Sequence, residues 1–173
     1  TRTGNPTREV LEKAIAALEG GEQGFAYSSG MAAIHALLTL FEPGDEILVS
    51  ADLYGGTYRL FEKTWKKYGI TFVQCQSYRD FAESISSQTK AFFIETPTNP
   101  LMQEIDIRAI ADLSQENNLL LIVDNTFYTP ILQRPLELGA DIVVHSATKY
   151  IAGHNDVLAG LIVAKGEDVC QKL

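Results

Sequence analysis

Basic residues are the scarcer charge in this sequence, with 14 Lys and Arg against 22 Asp and Glu and a formal net charge of −8. A nucleic-acid backbone needs a basic face, so non-specific nucleic-acid binding is excluded as a general property. A small phosphate site, which needs only a few donors, is not. Long apolar runs are missing too. Leu119 to Val123 is typical of the longest, far short of a bilayer. No basic stretch leads into an apolar one at the start, so neither a membrane span nor a secretory signal is expected. Cysteine is sparse: Cys75 and Cys170 stand far apart without metal-ligand spacing, as expected for reduced thiols in a cytoplasmic protein. His35, His145 and His154 form no i, i+4 pair, so no protein-bound metal is expected. There is no G-x-G-x-x-G and no Walker lysine motif, which argues against a nicotinamide- or nucleotide-binding domain.

What is present alternates between two periodicities. Thr7 after Pro6 reads as an N-cap, with Glu9 in the first turn, and Leu11, Ala14, Ile15 and Leu18 recur at helical spacing until Gly20-Gly21. Phe25 to Tyr27 reads as a short strand and Met31 to Leu40 as a helix. After the Pro43-Gly44-Asp45 turn come a strand at Glu46 to Val49, a helix over Thr57 to Tyr68 stopped by Gly69, and a strand at Ile70 to Val73. A short amphipathic piece surrounds Phe81 and Ile85. Ala91 to Ile94 reads as a buried strand and Ile107 to Glu116 as a helix. Leu119 to Val123, Ile142 to Val144 and Leu161 to Val163 read as further strands. Short β-branched runs separated by helices predict an α/β fold, a mostly parallel sheet with helices on both faces and right-handed crossovers, in one domain.

In such a sheet a ligand lies outside the carboxyl ends of the strands. Those ends carry Ser28-Ser29-Gly30, Ser50 to Tyr54, Glu95 to Asn99, Asp124-Asn125-Thr126 and His145 to Lys149. Ser29-Gly30-Met31 opens a helix directly after a strand, where free amides and the positive helix end attract an anion; simple capping explains the same residues equally well. Asp124 ends an apolar strand and needs a cation, a hydrogen bond or water, and capping a turn is its plainer reading. Most lysines are solvated surface charges. Lys149, in Ser146-Ala147-Thr148-Lys149-Tyr150 at a strand's end, differs if it lies in a cleft. Burial and nearby positive charge lower such a lysine's pKa and yield an amine that condenses with an aldehyde. Ser146 and Thr148 add hydroxyls suited to a phosphate beside that amine.

Six ordered motifs carry a resemblance over the whole chain: Arg2-Thr3-Gly4-Asn5-Pro6-Thr7, Ser28 to Ala33, Asp52 to Thr57, Glu95 to Pro100, Asp124 to Phe127, and Ser146 to Tyr150 followed by Gly153-His154. Together they resemble the Cys/Met-metabolism enzymes that use pyridoxal 5'-phosphate (PLP), the family of cystathionine γ-synthase, the cystathionine β- and γ-lyases and methionine γ-lyase. The resemblance implies the large domain of a PLP-dependent transferase-like fold, the aspartate-aminotransferase-like fold type I, spanning residues 1–173. The family's N-terminal arm and C-terminal small domain, whose arginine grips the substrate carboxylate, are expected outside this stretch. It implies that Lys149 is the Schiff-base lysine and the base for the substrate Cα proton, and that Asp124 pairs with the cofactor's ring nitrogen. Tyr54 would stack on the ring and serve as acid or base, although a packing aromatic is its plainer reading. Ser29, the Gly30 and Met31 amides, and the Ser146 and Thr148 hydroxyls would hold the phosphate, and Asn99 would sit near the 3'-oxygen. Arg2 would reach the phosphate of a neighbouring subunit, making the enzyme a dimer or tetramer.

The implied activity is elimination or replacement at Cβ or Cγ of a small sulfur amino acid in trans-sulfuration, with no nucleic acid or membrane partner. Tyr54-Gly55-Gly56 resembles the cystathionine enzymes more than methionine γ-lyase, which usually carries cysteine at the position of Gly56. A methionine γ-lyase or O-acetylhomoserine sulfhydrylase, and a PLP-binding domain without turnover, are the alternatives within this reading.

Overall fold

The computed structural model describes residues 4–173. Seven strands form one sheet in the order β1-β7-β6-β5-β4-β2-β3: β1 Gln23–Tyr27, β2 Glu46–Ser50, β3 Thr71–Cys75, β4 Thr89–Glu95, β5 Leu120–Asp124, β6 Ile142–Ser146 and β7 Gly160–Ala164. The run from β3 to β6 is parallel, and β7 is antiparallel to both β6 and β1. The reversal at β7 has a local cause. The segment after β6 never crosses back over the sheet; it stays at the carboxyl end and enters β7 at Gly160, which pairs with Ser146 and Tyr27. The loop carrying Lys149 is therefore held at the ligand end. The mostly parallel architecture agrees with the expectation from the sequence.

Side-chain alternation divides the core into two layers. Leu48, Phe92, Ile94, Leu121, Val123, Val143 and Leu161 pack on one face against α1 (Pro6–Glu19), α4 (Tyr78–Ser84) and α5 (Ile107–Glu116). Ile47, Val49, Phe93, Ile122, Val144 and Ile162 pack on the other against α2 (Gly30–Leu38) and Phe61. Phe92 and Phe93 are both buried, on opposite faces, each burial contributing roughly 1.5–3 kcal/mol. Continued past the apolar residues, the alternation assigns Glu95, Asp124 and Ser146 to the α2 face, and Asn125 and His145 to the α1 face.

Several boundaries differ from the sequence reading. The N-cap of α1 is Asn5, not Thr7: its extended backbone lets the side chain accept from the Thr7 and Arg8 amides while Pro6, which has no N–H to satisfy, takes the first helical position. The expected helix over Thr57 to Tyr68 starts earlier as α3 (Gly55–Arg59), widens into a π-turn at Leu60–Thr64 and tightens into a 3₁₀ turn at Trp65–Tyr68 before Gly69 in the left-handed region. Stacking of Phe61 on Phe72 and its edge contact with Phe93 accompany this change of pitch. Three short elements went unread: α6 (Thr129–Leu132), a 3₁₀ turn at Pro135–Leu138 and α7 (Glu167–Lys172). Both cysteines are free, and among the described residues no helix is long and apolar enough to cross a membrane.

Candidate active site

A cleft opens at the carboxyl ends of β4, β5 and β6. Ser29, Gly30, Met31, Tyr54, Asn99, Asp124, Ser146, Thr148 and Lys149 all line it. Every site residue expected from the sequence within the described stretch is thus brought together; Arg2 lies outside the described residues. Glu95, Thr126, Phe127 and Leu158 join the lining without having been assigned a role. Glu95, Thr126 and Phe127 belong to the Glu95 to Pro100 and Asp124 to Phe127 motifs, and their place at or just after strand ends is the signal that marks them.

The anion end is built by close approach. Ser29 caps α2 by accepting from the Ala32 amide at 3.0 Å, and the first amides of the helix have no acceptor within it. Gly30 packs on Ser146 so tightly that a Cβ there would sit 2.8 Å from the Ser146 Cβ. Among the described residues the Ser146 hydroxyl makes no hydrogen bond. Thr148 differs: its hydroxyl donates to the Ala159 carbonyl at 3.2 Å and accepts from the Ala159 amide at 3.1 Å, tying the Lys149 loop to the entry of β7.

The acidic wall is Asp124 with Glu95, paired across β4 and β5 in register. Thr126 supports Asp124 twice, its hydroxyl donating at 2.5 Å and its amide at 3.1 Å to the same oxygen. Burial pushes the Asp124 carboxyl upward, and the Thr126 donors and the charge of His145 oppose it. Glu95 accepts from the Tyr54 amide at 2.7 Å, which fixes the loop carrying Tyr54. Burial first, then the Asp124 charge, raise the Glu95 carboxyl to about 8.

This shift has a defined consequence for stability. The folded state holds a proton on Glu95 that the unfolded chain releases near the ordinary carboxylate range, so folding is favoured at low pH and that favour is lost as pH rises toward about 8. Denaturant melts at pH 5, 7 and 9 are expected to show a decline with pH that Glu95→Gln flattens. An identical slope in the variant would contradict the assignment.

Lys149 stands at the mouth of the cleft, exposed, and enters no ion pair among the described residues. Its loop runs over the open end of the sheet, which puts the side chain in the cleft lining and leaves it exposed. Tyr54 lines the same cleft half-exposed, its ring resting over Gly56, where a Cβ would come within 2.5 Å of the ring. No group of three His, Cys, Asp or Glu among the described residues is placed to hold a metal.

Comparison with known proteins bears on the same residues. The model of the Cys/Met metabolism PLP-dependent enzyme family matches residues 1–173. The chain is 62% identical to the cystathionine gamma-synthase/O-acetylhomoserine (thiol)-lyase of Bacillus subtilis, covering 99% of this chain and 47% of that protein. It is 58% identical to the cystathionine gamma-synthase of Haemophilus influenzae, covering 100% of this chain and 48% of that one. The crystal structure of cystathionine gamma-lyase from Lactobacillus plantarum complexed with L-serine superposes with a TM-score of 0.97 at 49% identity, over 99% of this chain and 45% of that one. The chain spans about half the length of the curated relatives it matches. Its sheet, its cleft at the strand ends and its match over every residue agree: the chain belongs to the Cys/Met metabolism PLP-dependent enzyme family.

Proposed function

We propose that residues 1–173 are the PLP-binding large domain of a cytoplasmic trans-sulfuration enzyme of the cystathionine γ-synthase or cystathionine lyase type. The observation that carries this reading is the convergence of Lys149, Asp124, Ser146 and the Ser29-Gly30-Met31 turn on one cleft. The cofactor is a dianionic phosphate joined to an aromatic ring with a basic nitrogen and an aldehyde, and the donors present match each part. Gly30, without a Cβ against Ser146, leaves the start of α2 open to an anion. Asp124 is a buried carboxylate held by Thr126 and aimed at a cleft, as a ring-nitrogen partner must be.

When bound, PLP supplies a carbon that condenses with amines and a ring that takes up the electrons of a broken Cα–H bond. The Ser29 and Ser146 hydroxyls and the Gly30 and Met31 amides would hold the phosphate, while Thr148, whose hydroxyl is engaged by Ala159, would mainly anchor the loop. Asp124 would keep a proton on the ring nitrogen. Asn99 would sit by the 3'-oxygen. Tyr54 would cover the ring and hold a proton at its hydroxyl, and Lys149 Nζ would hold the aldehyde end and move the substrate's Cα proton. Arg2 would serve the site of a neighbouring subunit, and a segment beyond residue 173 would grip the substrate carboxylate. The tight seat of the Tyr54 ring over Gly56 supports the cystathionine-type reading over methionine γ-lyase, since a cysteine there would displace the ring.

Adding one equivalent of PLP is expected to produce a visible absorption band. Borohydride should then fix the label on the peptide carrying Lys149. Label scattered over surface lysines such as Lys63, Lys66 and Lys67 would reject the reading. Assay with cystathionine, and with an activated homoserine ester plus cysteine, separates lyase from synthase.

A further inference from the structure

Glu19 closes α1 and is a carboxylate with no exposed surface. Its Oε1 accepts from Asn125 Nδ2 at 3.1 Å and lies 2.6 Å from Nε2 of His145, which is equally buried. Asn125 follows Asp124, and His145 precedes Ser146. One oxygen of α1 therefore ties together the ends of β5 and β6 on the α1 face of the sheet. On the α2 face Thr126 makes the matching tie, donating to Asp124 and accepting from the Ser146 amide at 2.9 Å. Asn125 is clamped further: its Nδ2 donates to the Gln133 carbonyl, its Oδ1 accepts from Gln133 Nε2, and that nitrogen also donates to the Thr96 carbonyl, next to Glu95.

We propose that Glu19 and His145 form a buried positioning unit, reached from the opposite face of the sheet, that fixes Asp124 and keeps it anionic for the cofactor's ring nitrogen. This rests on the PLP reading of the cleft. A charge this deep is tolerated only when paired. A lone Glu19 carboxylate would place a negative charge below a second one at Asp124. His145 faces Glu19 at 2.6 Å, and its charge opposes the effect of burial on Asp124. The other charged groups around Asp124 are Glu95 on β4, Asp52 beside Glu95, and Lys149 at the cleft mouth. Burial opposes the ionisation of Asp124, so a charged partner buried on the far face of the sheet has a task that a surface residue cannot share. Asp124 ends β5, and the pair fixes that strand end from below through Asn125.

The test compares wild type, Glu19→Gln and the double variant Glu19→Gln/His145→Gln, each loaded with PLP labelled with ¹⁵N at the ring nitrogen. Glu19→Gln keeps the side chain's shape and removes its charge; the double variant leaves no buried charge unpaired and covers the case in which the single variant does not fold. Both are expected to lower the pH at which the ring nitrogen loses its proton by about one unit and to weaken PLP binding about tenfold. Thermal melting confirms that the variant compared is folded. A merely structural pair would lower the melting temperature and leave the ring-nitrogen signal where it is in wild type; that result overturns the inference while the PLP reading stands. Failure of wild type to bind PLP overturns the reading itself, and the inference with it.

Discussion

Lys149→Ala is expected to lose the visible band and the borohydride-stable label completely, with a change in folding stability of no more than about 0.5 kcal/mol. The two halves of this expectation have separate physical sources. The side chain is exposed and enters no ion pair among the described residues, so its removal uncovers no buried group and opens no cavity. The loop is held by main-chain bonds that alanine retains, from the Lys149 amide to the Ser146 carbonyl and from the Gly153 amide to the Lys149 carbonyl. Cofactor attachment, by contrast, would have no other amine among the cleft-lining residues. Phosphate donors and Asp124 remain, so reversible PLP binding should persist at reduced affinity and be removed by dialysis. Absorbance before and after dialysis, beside a denaturant melt, checks both halves. A label that survives in the variant would place the reactive amine elsewhere.

The elements readable from sequence were those whose signal is local. Ile107–Glu116 appears as expected because its apolar residues recur on one helical face and Asp106 caps it. The central strands appear because runs such as Leu121-Ile122-Val123 suit burial on both sides. That same uniformity hides which residue faces which layer. His145 could be placed at a strand's end, yet its direction toward α1 depends on the register of β5 with β6. Nothing in the sequence sets Glu19 apart from the other acids of α1, and only tertiary packing reveals its burial against His145. The raised Glu95 carboxyl likewise depends on burial by the folded chain and then on a parallel pairing with Asp124 between distant segments. Short turns such as Thr129–Leu132 have too few residues for a periodicity. The motif residues could be gathered because strand ends in a parallel sheet share one edge. The exposure of Lys149 and the engagement of Thr148 with Ala159 could not, since both follow from the path of a loop.

Gly160→Ala should damage fold and site together. A Cβ at Gly160 would lie 2.0 Å from the Ser29 carbonyl oxygen, 2.4 Å from its carbon and 2.8 Å from the Gly30 amide nitrogen. All three are backbone atoms, which cannot rotate aside as a flexible side chain can. Nor can the strand retreat, because Gly160 is paired with Tyr27 on one side and Ser146 on the other. The clash must be relieved by lifting the Ser29-Gly30 turn or by breaking the β7 ladder. Overpacking commonly costs about 1–3 kcal/mol, and immovable neighbours on every side put this case at or beyond the upper figure. That is a large part of the roughly 5–15 kcal/mol that holds an ordinary domain together. Lifting the turn also moves the amides proposed for the phosphate, so PLP affinity should fall by more than about tenfold in whatever folded protein remains. Gly55→Ala is the control: its Cβ meets only the Arg59 guanidinium at 3.4 Å, and in the first turn of α3 it should be neutral or mildly stabilising. Denaturant melts with PLP titration on both variants decide the matter. Wild-type midpoint and affinity in Gly160→Ala would show that the turn of Ser29 and Gly30 yields freely, and that the close approach of β7 to the start of α2 has no part in shaping the cleft.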